Sequence, residues 1–90
     1  MTTTTQQAAQ RQDVHWEDAL RVDASGLPCP QPLLAMRRAL KQLAPGELLH
    51  LIATDPVSQR DIRSFCDLSG VPLARVETDG EAFHFWLQQI

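Results

Sequence analysis

Residues 48–56 read LLHLIATDP, and this stretch decides the fold because it joins a buried strand to a helix start. Its apolar residues fall on both sides of the pleat, which is typical of a strand that is buried on both faces. We therefore predict a central strand over residues 47–54. Asp55 is a good helix cap, and Pro56 suits the first position of a helix.

A strand and a helix precede this junction. Residues 20–23 alternate between apolar and polar side chains and predict a short strand. Pro32 suits a first helical position, and the proline keeps Gln31 out of the α region, so Gln31 is the predicted cap. The helix is expected to end at Pro45-Gly46. Its apolar stripe is formed by Leu33, Met36, Leu40 and Leu43.

A second helix and a hairpin follow the junction. The helix is expected to stop at Gly70, and one of its faces carries Ile62, Phe65, Cys66 and Ser69. Asp79-Gly80 is a strong hairpin signal between strands over residues 73–77 and 82–90. Alternation in the last strand separates two sets of side chains, with Phe83, Phe85 and Leu87 on one face and His84 and Trp86 on the other.

The resulting order, β-α-β-α-β-β, predicts an α/β (α+β) two-layer sandwich, with a four-stranded mixed sheet and two helices on one face. We expect the domain to span residues 19–90. Residues 1–18 are expected to form a flexible N-terminal tail, because most of them are Thr, Gln and Ala. The free face of the sheet must then meet water or a cover, and His84 and Trp86 are the candidates for that face.

The composition disfavours several classes of function. A net charge of −3 over 90 residues argues against bulk electrostatic binding to nucleic acid or to an anionic membrane. No apolar stretch is long enough to span a bilayer, and the N-terminus has no secretory-signal pattern. Two cysteines are too few for a disulfide scaffold, so we expect a reducing, cytoplasmic location.

Cys29 is the candidate catalytic residue. It lies in residues 26–32, GLPCPQP, where a proline-rich loop leads into a helix. The thiolate is the reactive form of cysteine, and a helix N-terminus favours negative charge, so we predict a depressed pKa of about 7 for Cys29. The prolines should stiffen the loop and present the sulfur to solvent. Cys66, on an apolar helix face, is expected to be structural.

Neither a metal nor a cofactor is indicated. The two cysteines lack the C-x-x-C spacing of a redox pair, and with the three histidines they show no zinc-ligand spacing. His50 and His84 fall in predicted strands and are poor candidates for a catalytic base. A domain this small also leaves little room for a substrate cleft. The chemistry that fits is one exposed sulfur that accepts and passes on one small group.

The C-P-x-P motif at residues 29–32 is accompanied by further motifs at residues 23–27, Asp55-Pro56, Asp61-Ile62 and residues 78–80. With them, the segment from Leu20 to Ile90 resembles the TusA/SirA-like sulfur-carrier family. The resemblance implies the same sandwich. It also implies that Cys29 receives sulfane sulfur as a persulfide from a cysteine desulfurase and passes it to a downstream acceptor protein. Gln31 stands where relatives often have Glu.

The resemblance therefore implies a sulfurtransferase-type carrier with a covalent persulfide intermediate rather than a stand-alone catalyst. Its relay would lead to tRNA thiolation, molybdenum-cofactor maturation or sulfur oxidation. No direct nucleic-acid or membrane partner is expected. A basic patch near Cys29, suited to acidic partners, is predicted from Arg37, Arg38, Lys41, Arg60 and Arg63. Two alternatives stay open: a thiol-based regulatory or interaction module without sulfur transfer, and RNA binding through the sheet face.

Overall fold

The structure, a computed structural model, describes residues 16–90 and confirms the predicted order of elements. A short 3-10 helix, Trp16–Asp18, precedes the first strand. The strands and helices are β1 Leu20–Ala24, α1 Gln31–Leu40, β2 Leu48–Ala53, α2 Val57–Ser69, β3 Leu73–Asp79 and β4 Ala82–Gln88. Of the tail predicted for residues 1–18, residues 1–15 lie outside the described residues. No helix within the described range is long and apolar enough to cross a membrane.

The four strands form one mixed sheet in the order β1-β2-β4-β3. β1 and β2 are parallel, and β4 is antiparallel to both β2 and β3. β2 is central, as predicted, and is buried along almost its whole length. Because β1 and β2 run in the same direction, the loops that follow them leave the sheet at the same end.

The hydrophobic core lies between the two helices and one face of the sheet. Its largest fully buried side chains include Met36 from α1, Ile62 from α2, and Leu49, Leu51, Phe85 and Leu87 from the sheet. Each such side chain stabilises the fold by about 1.5–3 kcal/mol when it leaves water. The predicted stripe of α1 is confirmed for Leu33, Met36 and Leu40, whereas Leu43 packs against the core from beyond the end of the helix. On α2 the predicted face holds for Ile62, Phe65 and Cys66, whereas Ser69 is exposed.

Both ends of α1 differ from the prediction. The helix begins at Gln31 itself, after Pro30 as the cap residue, and no side chain in the described part of the chain caps it. It ends at Leu40 rather than at Pro45. The Lys41 N–H still bonds four residues back, but the N–H groups of Gln42 and Leu43 bond to carbonyls three residues back, which tightens the chain before the proline is reached.

The start of α2 is one residue later than predicted. Pro56 is the cap residue, and the helix begins at Val57. Asp55 still supplies a cap, because its Oδ1 accepts the Val57 N–H at 2.9 Å. The helix stops at Gly70 as predicted, where a φ of 83° requires the left-handed conformation that glycine adopts readily.

The sheet face away from the helices carries a group of stacked side chains, called here the ring cluster: Trp16, His50, Arg75, His84 and Trp86. His84 and Trp86 lie on this face, as predicted, but Trp86 is only 7% exposed. Trp16 meets Trp86 edge-on, with ring centroids 6.1 Å apart, and Arg75 lies 5.2 and 4.8 Å from the centroids of the two indoles. His50 Nε2 and His84 Nδ1 are 2.8 Å apart. The chain therefore covers the centre of this face with its own side chains.

Candidate functional site

Cys29 lies at the end of the sheet where β1 and β2 lead into the two helices. It is a free, half-exposed thiol two residues before α1, and its peptide bond to Pro30 is cis. The loop before it turns at Gly26, whose φ of 80° favours glycine. The Gly26 N–H donates to the Thr54 hydroxyl at 2.9 Å. This hydrogen bond joins the loop after β1 to the loop after β2.

Asp55 joins the backbone of Cys29 to the start of α2. Its Oδ2 accepts the Cys29 N–H at 2.7 Å, while its Oδ1 accepts the Val57 N–H. These two backbone donors, the one from Cys29 first, lower the pKa of the Asp55 carboxyl, so the group is ionised at neutral pH. A single carboxylate thus fixes the sulfur-bearing residue relative to the second helix.

The side chain of Cys29 is hydrogen-bonded to Asp61 on α2. The Sγ–H donates to Asp61 Oδ2 at 2.6 Å. This hydrogen bond favours the protonated thiol and raises the pKa of Cys29 above its ordinary value. Loss of hydration and the negative charges of Asp61 and Asp55 act in the same direction, and Arg60 opposes them. The predicted depression of the Cys29 pKa is therefore wrong.

The prediction failed because it considered the N-terminus of α1 without the neighbouring helix. A helix N-terminus acts on a thiolate through roughly half an elementary charge, spread over several N–H groups. Asp61 instead acts on the thiol by direct contact, both as its hydrogen-bond acceptor and through its negative charge. The effect of Asp61 on the pKa of Cys29 is larger than that of the helix N-terminus, so the protonated thiol is favoured.

The other sequence-predicted residues lie away from the sulfur. Cys66 is buried in the core as expected, and its loss of hydration raises the pKa of its thiol. His50 and His84 belong to the ring cluster. The five predicted bases are all exposed, but Arg60 alone among them lowers the pKa of Cys29. Arg37 lies 5.7 Å from the centroid of the Phe65 ring. The groups in contact with Cys29 are carboxylates, so the basic patch does not extend to the sulfur itself.

Asp55 and Asp61 are the site residues whose roles the sequence analysis missed. From the sequence, Asp55 was predicted only as a helix cap, and Asp61 entered only through the family resemblance. Both follow β2, whereas Cys29 follows β1. Parallel neighbours end on the same side of a sheet, so a prediction that β1 pairs with β2 would have brought all three together. That pairing was the missing signal.

The chemistry of the site depends on one sulfur and two carboxylates. Between residues 16 and 90 there is no group of three side chains that could hold a metal ion. Cys29 and Cys66 are both free thiols. A free, half-exposed thiol is a group that can be modified covalently, and here Asp55 holds its backbone while Asp61 holds its sulfur.

Comparisons with known proteins agree with this architecture. The sequence model of the family described as Sulfurtransferase TusA matches residues 20–89. A sulfur carrier protein TusA from Pseudomonas aeruginosa is 39% identical over 75 residues, which cover 83% of this chain and 94% of the relative. A protein of the same name from Pseudomonas putida is 40% identical over 68 residues, which cover 76% and 85%.

A solved structure shows the same fold. The crystal structure of a SirA-like protein from Desulfitobacterium hafniense matches with a TM-score of 0.68, covering 77% of this chain and 95% of that one at 20% identity. Since the family model spans most of the sequence and the relatives match along nearly their whole length, the chain belongs to the TusA family.

Proposed function

We propose that this protein is a small sulfur carrier that accepts sulfane sulfur as a persulfide on Cys29 and passes it to a downstream acceptor protein. One observation carries the proposal: Cys29 is a free, half-exposed thiol in a chain whose relatives are named sulfur carriers. The donor is a cysteine desulfurase. The relay ends in tRNA thiolation or in another sulfur-transfer pathway.

The loading step is an exchange between two cysteine sulfurs. The Cys29 sulfur attacks the outer sulfur of the donor's persulfide, and the donor's S–S bond breaks. The donor cysteine leaves with the electron pair and takes up the proton that Cys29 releases. Cys29 is oxidised to the level of a disulfide sulfur while the donor cysteine is reduced to a thiol, so no outside oxidant is needed. Attack by an acceptor thiol on the outer sulfur unloads the carrier in the same way.

The charge distribution of the helices supports docking to acidic partners. Five exposed bases lie on or beside the two helices that frame the site: Arg37, Arg38, Lys41, Arg60 and Arg63. Complementary charge speeds the encounter of two proteins and orients them before contact. A carrier must meet a donor and an acceptor in turn, and this surface serves both encounters.

The geometry disfavours the two alternatives. An oxidation sensor usually has an exposed cysteine of low pKa, because the thiolate reacts with peroxide, whereas Asp61 raises the pKa of Cys29. RNA recognition through a sheet needs open aromatic faces for base stacking. Trp86 is instead covered by Trp16 and Arg75.

Intact-mass measurement tests the proposal. After incubation with a cysteine desulfurase and cysteine, we expect the protein to gain the mass of one sulfur atom and to lose it on reduction. Cys29→Ser should gain nothing. Cys66→Ala is the matched control and should gain as much as the wild type, because Cys66 lies in the core. Alanine is chosen since serine would bury an unpaired hydroxyl there.

A sulfur gain that survives in Cys29→Ser would contradict the proposal, as would the absence of any gain in the wild type. Oxygen adducts that depend on peroxide, without a gain from the desulfurase, would support the sensor instead.

A further inference from the structure

We propose that Asp61 is a positioning residue that holds the empty carrier's sulfur as a hydrogen-bonded thiol, so that Cys29 becomes a strong nucleophile only when a docked partner presents a cationic group to this carboxylate. The inference deepens the proposed function and rests on it for the partner. The contact that carries it is the 2.6 Å hydrogen bond from Cys29 Sγ to Asp61 Oδ2.

The hydrogen bond is held from both sides. Asp61 lies on α2 directly before Ile62, which is fully buried in the core, so the helix sets the position of the carboxylate. On the other side, Asp55 accepts the Cys29 N–H at 2.7 Å and restrains the loop. Both residues are therefore restrained, and the Cys29 sulfur stays in contact with Asp61 in the free protein.

Three charged groups act on the sulfur. Asp61 and Arg60 come from α2, and Asp55 comes from the loop before it. The first turn of α1 contributes no acidic residue. Two carboxylates against one guanidinium leave a net negative surrounding, which disfavours a thiolate at Cys29.

Sulfur transfer needs thiolate character at Cys29, because the thiolate is the nucleophile in thiol exchange. An arginine or lysine of the partner that pairs with Asp61 would occupy the carboxylate oxygens and stabilise the thiolate by its own charge. The proton then passes from Cys29 to the departing donor sulfur. Small electrophiles and oxidants bring no such cation, so they meet the less reactive thiol.

Alkylation of the free protein by iodoacetamide across a pH series tests the first half of this inference. All variants carry Cys66→Ala, so that one thiol remains. Asp61→Asn keeps the size of the side chain and removes its charge. We expect its alkylation midpoint to fall and its rate at pH 7 to rise about tenfold, which corresponds to one pKa unit. Asp67→Asn, an exposed site further along α2, changes the net charge equally and should leave the profile unchanged.

Two further variants strengthen this test. Arg60→Gln removes the cation that opposes the carboxylates, so its midpoint should rise and its alkylation should slow. Asp61→Glu keeps the charge but moves it along a longer side chain, so its midpoint should lie between those of the wild type and Asp61→Asn. A purely structural role for Asp61 predicts no ordered shift across these variants.

Loading rates with two donors test the second half. With a small-molecule persulfide, Asp61→Asn should load faster than the wild type by the same factor as in alkylation. With a cysteine desulfurase, the increase in loading rate should be smaller or reversed, because the variant has no carboxylate for the partner's cationic group to pair with.

Two results would overturn the inference. One is an unshifted alkylation profile in Asp61→Asn, and the other is an equal increase of its loading rate over the wild type with both donors. Alkylation needs no sulfur donor, so its outcome is independent of the proposed function. A shifted profile in a protein that gains no sulfur from either donor would refute the carrier role alone.

Discussion

The sulfur site and the ring cluster lie in different parts of the fold, and each contains two titratable side chains joined by one hydrogen bond. At the sulfur site, Cys29 and Asp61 are 2.6 Å apart, and the contact raises the pKa of the thiol. In the ring cluster, His50 and His84 are 2.8 Å apart, and burial followed by the neighbouring ring lowers the pKa of His50. The Cys29 thiol therefore retains its proton more strongly, while the His50 ring resists taking one up.

The difference predicts that reactivity and stability depend on separate parts of the molecule. Cys29 sits on a loop, and its nearest groups come from segments that follow the strands. The histidines lie on β2 and β4, the two central strands, beside a buried tryptophan. A change at the loop should alter chemistry with little effect on folding, and a change in the ring cluster should do the reverse.

Removing the buried tryptophan of the ring cluster should have the greatest effect on folding. Trp86→Ala deletes a side chain that is only 7% exposed, and we expect it to lower the free energy of unfolding by about 3–5 kcal/mol. Urea denaturation followed by circular dichroism measures this. Leu68→Ala, at a residue that is 89% exposed, is the control and should change stability by less than about 0.5 kcal/mol. If Trp86→Ala lowers the free energy of unfolding by less than about 1 kcal/mol, the ring cluster contributes little to stability.

Acid should weaken the ring cluster next. A hydrogen bond between two imidazole nitrogens needs one donor and one acceptor, so full protonation of both rings breaks it. The folded pKa of His50 is lowered, so this contribution to stability is present above the unfolded pKa of about 6.5 and is lost as pH falls. We expect the free energy of unfolding to drop between pH 7.5 and 5.

The charges that face His50 include Arg21 from β1 and Arg75 and Glu77 from β3, and the two arginines act in the same direction as burial. Tryptophan fluorescence during urea titration reports the loss, because both tryptophans of the chain belong to the ring cluster. His50→Gln should flatten the pH dependence. An equal drop in His50→Gln and the wild type would place the titrating group elsewhere. At the sulfur site the sign is opposite: the raised pKa of Cys29 makes its contribution disappear in alkali.

The smallest expected effect concerns Arg75, which lies over both indole rings and pairs with Glu77. Arg75→Ala should cost about 1 kcal/mol through the lost cation–π contacts. Glu77→Gln removes only an exposed ion pair and should change stability by less than about 0.5 kcal/mol. Thermal denaturation of the two variants compares them. If Glu77→Gln costs as much as Arg75→Ala, the ion pair rather than the rings holds Arg75 in place.

Much of this fold could be read from periodicity. The alternation in β4 assigned Phe85 and Trp86 to opposite faces, and the double-sided pattern of β2 placed it inside the sheet. The end of α1 could not be read in the same way. It depends on whether an N–H bonds three or four residues back, and neither pattern nor propensity distinguishes these alternatives near a proline.

By itself the sequence determined the order of elements, most of the core-facing side chains and Cys29 as the candidate for sulfur chemistry, because each depends on neighbours within a few positions. Only the tertiary structure decided the direction in which the pKa of Cys29 is shifted and which side chains cover the sheet face away from the helices. Cys29 and Asp61 are 32 positions apart, and His50 and His84 are 34 apart. Contacts over such separations depend on which strands pair, and local periodicity does not determine strand pairing.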